Sequence, residues 1–236
     1  MSLFARLSAV SRRRKLELFH ETMRPAPWMR VLDLGAEIES DTGDCLQFID
    51  KYPWKDKITA ANIDAEHVRL IAQRHPEVEA VVADARKLPW PDKHFDIVYC
   101  NAVIEHVGRL DDQKQMASEI MRVGKRWFVT TPNRWYPFEF HLRLPFVTWL
   151  PGQLYLKIGS IVRYSHVRHK YVFGTPCSGT RLMTASELMA CFPGGRVIRQ
   201  RVTFMAETLI AVGGVQAAAE PSPGAAKESS RLATRP

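Results

Sequence analysis

ADARKLPWPDKHFDIVYCNAVIEHV, residues 83–107, is the stretch on which the reading of this chain turns. An apolar run from Val81 to Ala83 stops at Asp84, and a second, Ile97 to Cys100, follows the Phe95-Asp96 pair and stops at Asn101. Short apolar runs bounded by Pro, Asp and Asn have the pattern of buried strands. The stretch therefore predicts two buried strand ends, each releasing a polar residue at its carboxyl edge. In an open α/β sheet, ligands sit in the crevice beyond those edges, so Asp84 and Asn101 are expected to face one pocket.

Outward from this stretch the order alternates. Strands are predicted at Val31 to Leu34, Ile58 to Ile63 and Trp127 to Thr131, with helices around Asp44 to Tyr52, Glu66 to His75 and Asp111 to Val123. Such alternation implies βαβ units, a parallel sheet and right-handed crossovers. Thr184-Ala185-Ser186-Glu187 is a capping box opening a helix that ends near Phe192. Arg196 to Thr203 and Glu207 to Val212 are separated only by Phe204 to Ala206, which predicts an antiparallel hairpin. Ahead of the first strand, a basic helix from near Ser8 to Met23 is stopped by Pro25 and Pro27 and reads as a lid. Residues 133–180, after the fifth strand, break the alternation with aromatics, prolines and cations and read as a helical, aromatic insertion. From Gln216 onward the Ala, Pro, Ser and Gly content cannot build a core. The expected division is a helical lid at 1–29, an α/β domain at 30–213 with an insertion or acceptor cap at 133–180, and a disordered tail at 214–236.

Of 236 residues, 46% are hydrophobic and 25% charged, which suits one core of catalytic size. Cys45, Cys100, Cys177 and Cys191 form no C-x-x-C pair, so neither a disulfide framework nor a zinc site is suggested. A reducing cytoplasm fits. No apolar run approaches the ~20 residues of a spanning helix. The formal charge of +8 invites nucleic acid, but no nucleic-acid module can be read, and a surface meeting anionic lipid or a phosphorylated substrate accounts for the cations as well. His166 and His169 lack neighbouring carboxylates or thiols, so no metal is expected.

The stretch 83–107 resembles the class I S-adenosylmethionine (SAM) dependent methyltransferases, in particular those related to the quinone-biosynthesis enzymes, through Asp84, Leu88-Pro89-Trp90, Phe95-Asp96 and Glu105-His106. Val31-Leu32-Asp33-Leu34-Gly35 is similar to the family's first motif, where a strand runs into a glycine turn. The resemblance implies a Rossmann-like, mostly parallel sheet ending in the antiparallel hairpin, with SAM as cofactor. It implies that Asp33 holds the ammonium of the methionine moiety and that Gly35 lets backbone approach it. Asp64 would take the ribose hydroxyls, a helix N-cap being the alternative role. Asp84 and the amide of Ala85 would meet adenine, and Asn101 would close over the methionine end. Where relatives have further glycines this chain has Glu37 and Glu39, with Asp41 and Asp44 beyond. Four like charges oppose a dinucleotide pyrophosphate but tolerate the cationic groups of SAM, which disfavours an oxidoreductase.

Methyl transfer needs alignment and exclusion of water, and a base only where the acceptor holds a proton of high pKa. The candidates are His106, Glu105 and His141. Asn133-Arg134-Trp135-Tyr136-Pro137 resembles an NRW-type segment of a bacterial subgroup with a glycine-poor first motif. Trp135, Tyr136, Phe138, Phe140, Phe146, Trp149 and Tyr155 are read either as a cap over an apolar or lipid-linked small-molecule acceptor, touching the inner membrane face, or as plain packing on the sheet. A non-catalytic scaffold on the same fold is the alternative to an enzyme.

Overall fold

The computed structural model describes residues 3–38, 47–139, 144–151, 154, 157–158, 161–165, 170–173 and 180–214. In chain order the elements are α1 (Leu3–Met23), β1 (Val31–Leu34), α2 (Phe48–Lys51), β2 (Ile58–Asn62), α3 (Ala65–Arg74), β3 (Glu79–Val82) and β4 (Phe95–Asn101). There follow a 3-10 turn at Ile104–His106, α4 (Leu110–Val123) and β5 (Gly124–Pro132). The insertion contributes the short strands β6 (Phe138–Glu139), β7 (Leu144–Pro145), β8 (Val162–Ser165) and β9 (Lys170–Phe173), and α5 (Ala185–Cys191), β10 (Arg196–Arg201) and β11 (Ala206–Gly213) complete the described chain.

Seven strands form one sheet in the order β3-β2-β1-β4-β5-β11-β10. The first five pair in parallel, β11 pairs antiparallel to β5, and β10 pairs antiparallel to β11 with a bulge at Gln200/Arg201. Every residue of β1, β2 and β11 is buried, as strands covered on both faces require. One face packs Leu32, Val98, Val129 and Leu209 under α4 and α5; the other packs Val31, Ile97, Phe128 and Ile210 under α1 and α3. The βαβ alternation, the terminal hairpin and the reciprocal capping box of Thr184 and Glu187 are as the sequence predicts.

Three expectations change. β3 is not a buried strand: it lies on the sheet edge, Glu79 is exposed and Val82 is 53% exposed. α1 begins at Leu3, a turn ahead of Ser8, because nothing before Pro25 breaks a helix. The described part of the insertion is not mainly helical; β6 pairs with β7 and β8 with β9 as two small ladders. Residues 39–46, which hold Glu39, Asp41 and Asp44, the stretch holding Phe140 and His141, and the tail from 215 onward lie outside the described residues.

α1 docks through Phe19, whose ring meets Phe48, Tyr99 and Phe128 edge-on at centroid distances of 5.1, 5.3 and 5.6 Å. Edge-to-face pairs add to the area buried, and all four rings are buried. Phe19→Ala is expected to lower unfolding stability by about 3 kcal/mol or more, measured by urea denaturation; a loss below about 1 kcal/mol would mean that α1 does not dock through this ring.

Candidate functional site

The chain runs from β1 outward to β2 and β3, then returns to lay β4 on the other side of β1. β1 and β4 therefore flank the point where strand order reverses, and a crevice must open beyond their carboxyl ends. A cleft of about 590 Å³, open mouth included, stands there. Asp33, Gly35 and Ala36 line it from β1 and its following turn, Tyr99 and Asn101 from β4, and Arg12, Lys15 and Leu16 from α1. α1 thus forms a wall of the cleft.

Asp33 is the anomaly of this crevice. It is buried in a central strand, and among the described residues its carboxylate has no hydrogen bond or ion pair. Burial pushes its carboxyl up to about 7, since a charge removed from water needs a counter-charge. Gly35 follows at φ +82°, and its amide donates to the carbonyl of Ala61 at 2.7 Å. A Cβ on Gly35 would lie 2.2 Å from Cγ2 of Val103. Glycine is required here by the protein's own packing, on top of any close approach of a ligand.

The residues beyond β2 and β3 are arranged differently from expectation. β2 ends at Asn62, not Ile63, which is exposed. Asn62 is buried, donates from Nδ2 to the carbonyl of Ala36 at 2.8 Å and accepts from the Asp64 amide at 2.9 Å. Asp64 is exposed and caps α3 through the Glu66 amide at 2.8 Å, which is the N-cap alternative. Asp84 is not among the residues lining the cleft with Asn101. Its carboxylate accepts from the Arg86 amide at 2.9 Å and from the Arg86 guanidinium at 2.7 to 3.2 Å, and this pairing holds its pKa below the usual range. Ala85 is buried beside it.

At the end of β4, Asn101 Oδ1 accepts from Lys15 Nζ at 2.8 Å and from Thr130 Oγ1 at 2.8 Å. Desolvation, with like-charge repulsion from Arg12, brings the Lys15 ammonium down to about 8 against the opposite pull of Glu105 and Glu207. Further anchors tie α1 to the sheet: Ser11 donates to Glu207 at 3.3 Å, Gln200 donates to Ser11 Oγ at 2.9 Å, and Arg14 donates to the Arg201 carbonyl at 2.6 Å. Lys15 is the residue that sequence reasoning missed, although it stands four residues before Phe19 and eight before Met23, on the buried face of α1.

Of the candidate bases, Glu105 is fully buried and accepts from Thr131 Oγ1 at 3.0 Å. Its turn is fixed by Arg181, whose amide donates to the Glu105 carbonyl at 2.8 Å, and by Gln113, which donates to the Ile104 carbonyl at 3.0 Å. His106 is exposed and is not among the residues lining the cleft. No group of side chains suited to a metal ion occurs among the described residues.

The raised Asp33 pKa carries a signed consequence. An acid that titrates higher when folded than its ordinary 3.8 binds more protons in the folded state, so stability falls as pH rises from about 4 to 7 and the cost is complete above that. Asp33→Asn is expected to stabilise the ligand-free protein by about 2–4 kcal/mol at pH 8 and by little at pH 4. Thermal melts at the two pH values check this, and an equal effect at both would remove the buried charge from the explanation.

Residues 40–127, from the loop after β1 to β5, match a family model described as a methyltransferase domain. Over 81 residues the chain is 36% identical to probable S-adenosylmethionine-dependent methyltransferases of Mycolicibacterium smegmatis and Mycobacterium tuberculosis, which covers 33% of this chain and 30% and 28% of theirs. The chain thus spans less than a third of the length of these curated relatives. Its fold is similar to that of a SAM-dependent methyltransferase from Methanosarcina mazei, with a TM-score of 0.54, 16% identity, and coverage of 83% of this chain and 95% of that one. It is also similar to the PH0226 protein of Pyrococcus horikoshii, with a TM-score of 0.55, 19% identity, and coverage of 86% and 88%. In fold and strand order the chain is similar to the class I SAM-dependent methyltransferases, and residues 40–127 carry the match to a methyltransferase domain.

Proposed function

We propose that the protein binds SAM in the cleft between β1 and β4 and transfers its methyl group to a small-molecule acceptor. The observation that carries this reading is Asp33, a buried carboxylate that lines the cleft and pairs with no cation among the described residues. The methionine moiety of SAM brings an ammonium, and binding would supply the missing counter-charge. When bound, SAM supplies a methyl group made electrophilic by its sulfonium.

The chain's own part is to hold, orient and exclude water. Asp33 accepts from the ammonium, and Gly35 keeps the turn open for it. Asn101, fixed by Lys15 and Thr130, shapes the end of the cleft nearest β4. Asp64 is proposed for the ribose hydroxyls through the oxygen not used in capping, with Asn62 as the nearer polar group at the strand end. Asp84 and the Ala85 amide are proposed for adenine, with Arg86 moving or sharing Asp84. A base is required only for a protonated acceptor; Glu105, His106 and His141 are the groups proposed for it.

Calorimetric titration with S-adenosylhomocysteine tests the cofactor. Micromolar binding that weakens at least tenfold in Asp33→Asn, with none for NADH, is the expected result. Binding of neither sulfur ligand, SAM nor its product, would leave the scaffold reading in its place. Comparing Asn62→Ala with Asp64→Ala assigns the ribose group: the variant losing more affinity identifies it, and unchanged affinity in both removes β2 from the site.

The insertion supports an apolar or lipid-linked acceptor drawn from a membrane surface. Trp135, Phe146 and Trp149 are 52%, 56% and 48% exposed. Phe146 packs edge-on against Trp149 at 5.0 Å, the Trp149 indole donates to the Trp135 carbonyl at 3.1 Å, and Arg134 lies over the Trp135 ring at 5.9 Å. Aromatics with adjacent cations suit the headgroup boundary. Asn133 secures the base of this segment by donating to the Ala206 carbonyl at 2.9 Å. No helix among the described residues is long and apolar enough to cross a membrane. Co-sedimentation with vesicles containing phosphatidylglycerol is expected for the protein and lost in the double variant Trp135→Ala, Trp149→Ala; equal binding by both would leave the insertion as packing.

A further inference from the structure

We propose that the tip of the terminal hairpin is a membrane anchor: Phe204, presented between the basic edge strand β10 and the base of the insertion, enters the headgroup layer of an anionic bilayer and turns the carboxyl edge of the sheet toward it. The inference deepens the membrane-facing reading of the insertion, and rests on that reading for what the anchor serves, the delivery of an acceptor from the bilayer.

β11 pairs with β5 so that Thr208 faces Pro132, which puts the turn between β10 and β11 at the carboxyl edge of the sheet, the edge where the cleft opens. Tight turns ordinarily hold Gly, Asn, Asp or Pro. This one reads Val202-Thr203-Phe204-Met205, and Phe204 is 79% exposed, more than any other large apolar side chain among the described residues. The turn that presents it is braced on both sides. The Val202 amide donates to Glu207 Oε2 at 2.9 Å, the Thr203 hydroxyl stands 3.0 Å from the Tyr136 hydroxyl, and it lies 3.4 Å from the Met205 carbonyl. Asn133 donates through its amide to the Glu207 carbonyl and through Nδ2 to the Ala206 carbonyl, both at 2.9 Å. Hairpin tip and insertion base are thereby joined in one surface, with the Phe204 ring projecting from it.

The charge around the tip selects the partner. Residues 133–213 contain ten Lys or Arg against Glu139, Glu187 and Glu207. Glu207 is buried and Glu187 pairs with Arg181. Arg196, Arg199 and Arg201 are exposed along β10. Arg14 of α1 joins them by donating to the Arg201 carbonyl at 2.6 Å. Arg12 and Arg13 carry the positive surface on to the cleft, which both line, Arg13 being shared with Glu17 at 3.6 Å. An apolar tip flanked by cations suits an anionic headgroup layer: the ring enters the boundary, and each cation near the negative surface adds attraction. A second copy of the chain would set two positive surfaces against each other. A nucleic acid would engage the cations and stack on the rings, but it would gain nothing from Ile161 and Leu154, 62% and 45% exposed in the insertion, which acyl chains would cover.

The test is titration of the full chain with vesicles of phosphatidylcholine, alone and with phosphatidylglycerol added, read by co-sedimentation. The unaltered protein is expected to bind the mixed vesicles at least about tenfold more tightly than the neutral ones, and to lose most of that advantage in high salt. Phe204→Ser is expected to weaken binding about tenfold, with S-adenosylhomocysteine affinity and melting temperature unchanged because the ring is exposed. The double variant Arg199→Gln, Arg201→Gln is expected to lose about tenfold or more on the mixed vesicles and little on the neutral ones. Phe204→Ser that binds as tightly as the unaltered protein overturns the anchor, and it leaves the insertion reading in place if Trp135→Ala, Trp149→Ala loses binding. Loss in Phe204→Ser alone supports the anchor and removes the insertion from the contact. A dimer that Phe204→Ser dissociates in light scattering, or binding to single-stranded RNA in place of vesicles, overturns the anchor in favour of that partner. Failure of the unaltered protein to bind either vesicle overturns both readings.

Discussion

A carboxylate buried at the centre of the sheet, without a partner among the described residues, is the constraint around which this molecule is arranged. Asp33 is the third residue of a strand otherwise made of Val and Leu, and it pairs in register with Tyr99 on β4 and Ala60 on β2. A fold that selected only for stability would place an apolar side chain there, because desolvating a charge costs more than any local contact returns. The strand order explains why the charge is useful in this place. The reversal between β1 and β4 opens the crevice at the very residue where β1 carries its one polar group. Local instability and ligand recognition are then the same feature.

The wall provided by α1 gives the crevice its second charge. The helix is tied down along its middle and at its carboxyl end: Ser11 and Arg14 reach the terminal hairpin, while Phe19 enters the aromatic cluster and the Met23 carbonyl accepts from Arg126 at 2.5 Å. Lys15 lies between these anchors. Its position depends on docking far from itself, so loss of Phe19 packing would disturb the cleft as well as the core. The antiparallel hairpin, distant from the crevice in chain order, takes part in the site by supplying Glu207 and Gln200 as the floor on which the middle of α1 rests at Ser11.

Much of this was legible in the sequence, for reasons that can be named. β1, β5, the capping box at Thr184 and the closing hairpin depend on short-range signals; β1 and the capping box lie where their residues predict, β5 begins three residues earlier at Gly124, and the first hairpin strand ends at Arg201 rather than Thr203. The end of β2 misled because Ile63 prolongs an apolar run while facing solvent, so Asp64, two residues beyond Asn62, was read as the strand end. Asp84 was legible as a strand-end carboxylate, but its fork with Arg86 was not, since a side chain two residues on folds back only once the turn exists. Lys15 was hidden within the run of cations from Arg12, where composition suggests a solvated face; the four-residue steps to Phe19 and Met23 distinguish it from Arg13 and Arg14. β3 looked buried because its valines are apolar, but edge position is a property of sheet order and not of composition.

The most direct test of the central claim is titration of the Asp33 carboxyl carbon by nuclear magnetic resonance, with and without S-adenosylhomocysteine. A midpoint near 7 in the ligand-free protein, replaced by a carboxylate that stays ionised down to about pH 4 when the ligand is bound, is the predicted result. A ligand-free midpoint near the ordinary carboxylate range, or a raised midpoint that the ligand leaves in place, would contradict the view that the cleft is built around a charge awaiting its counter-ion.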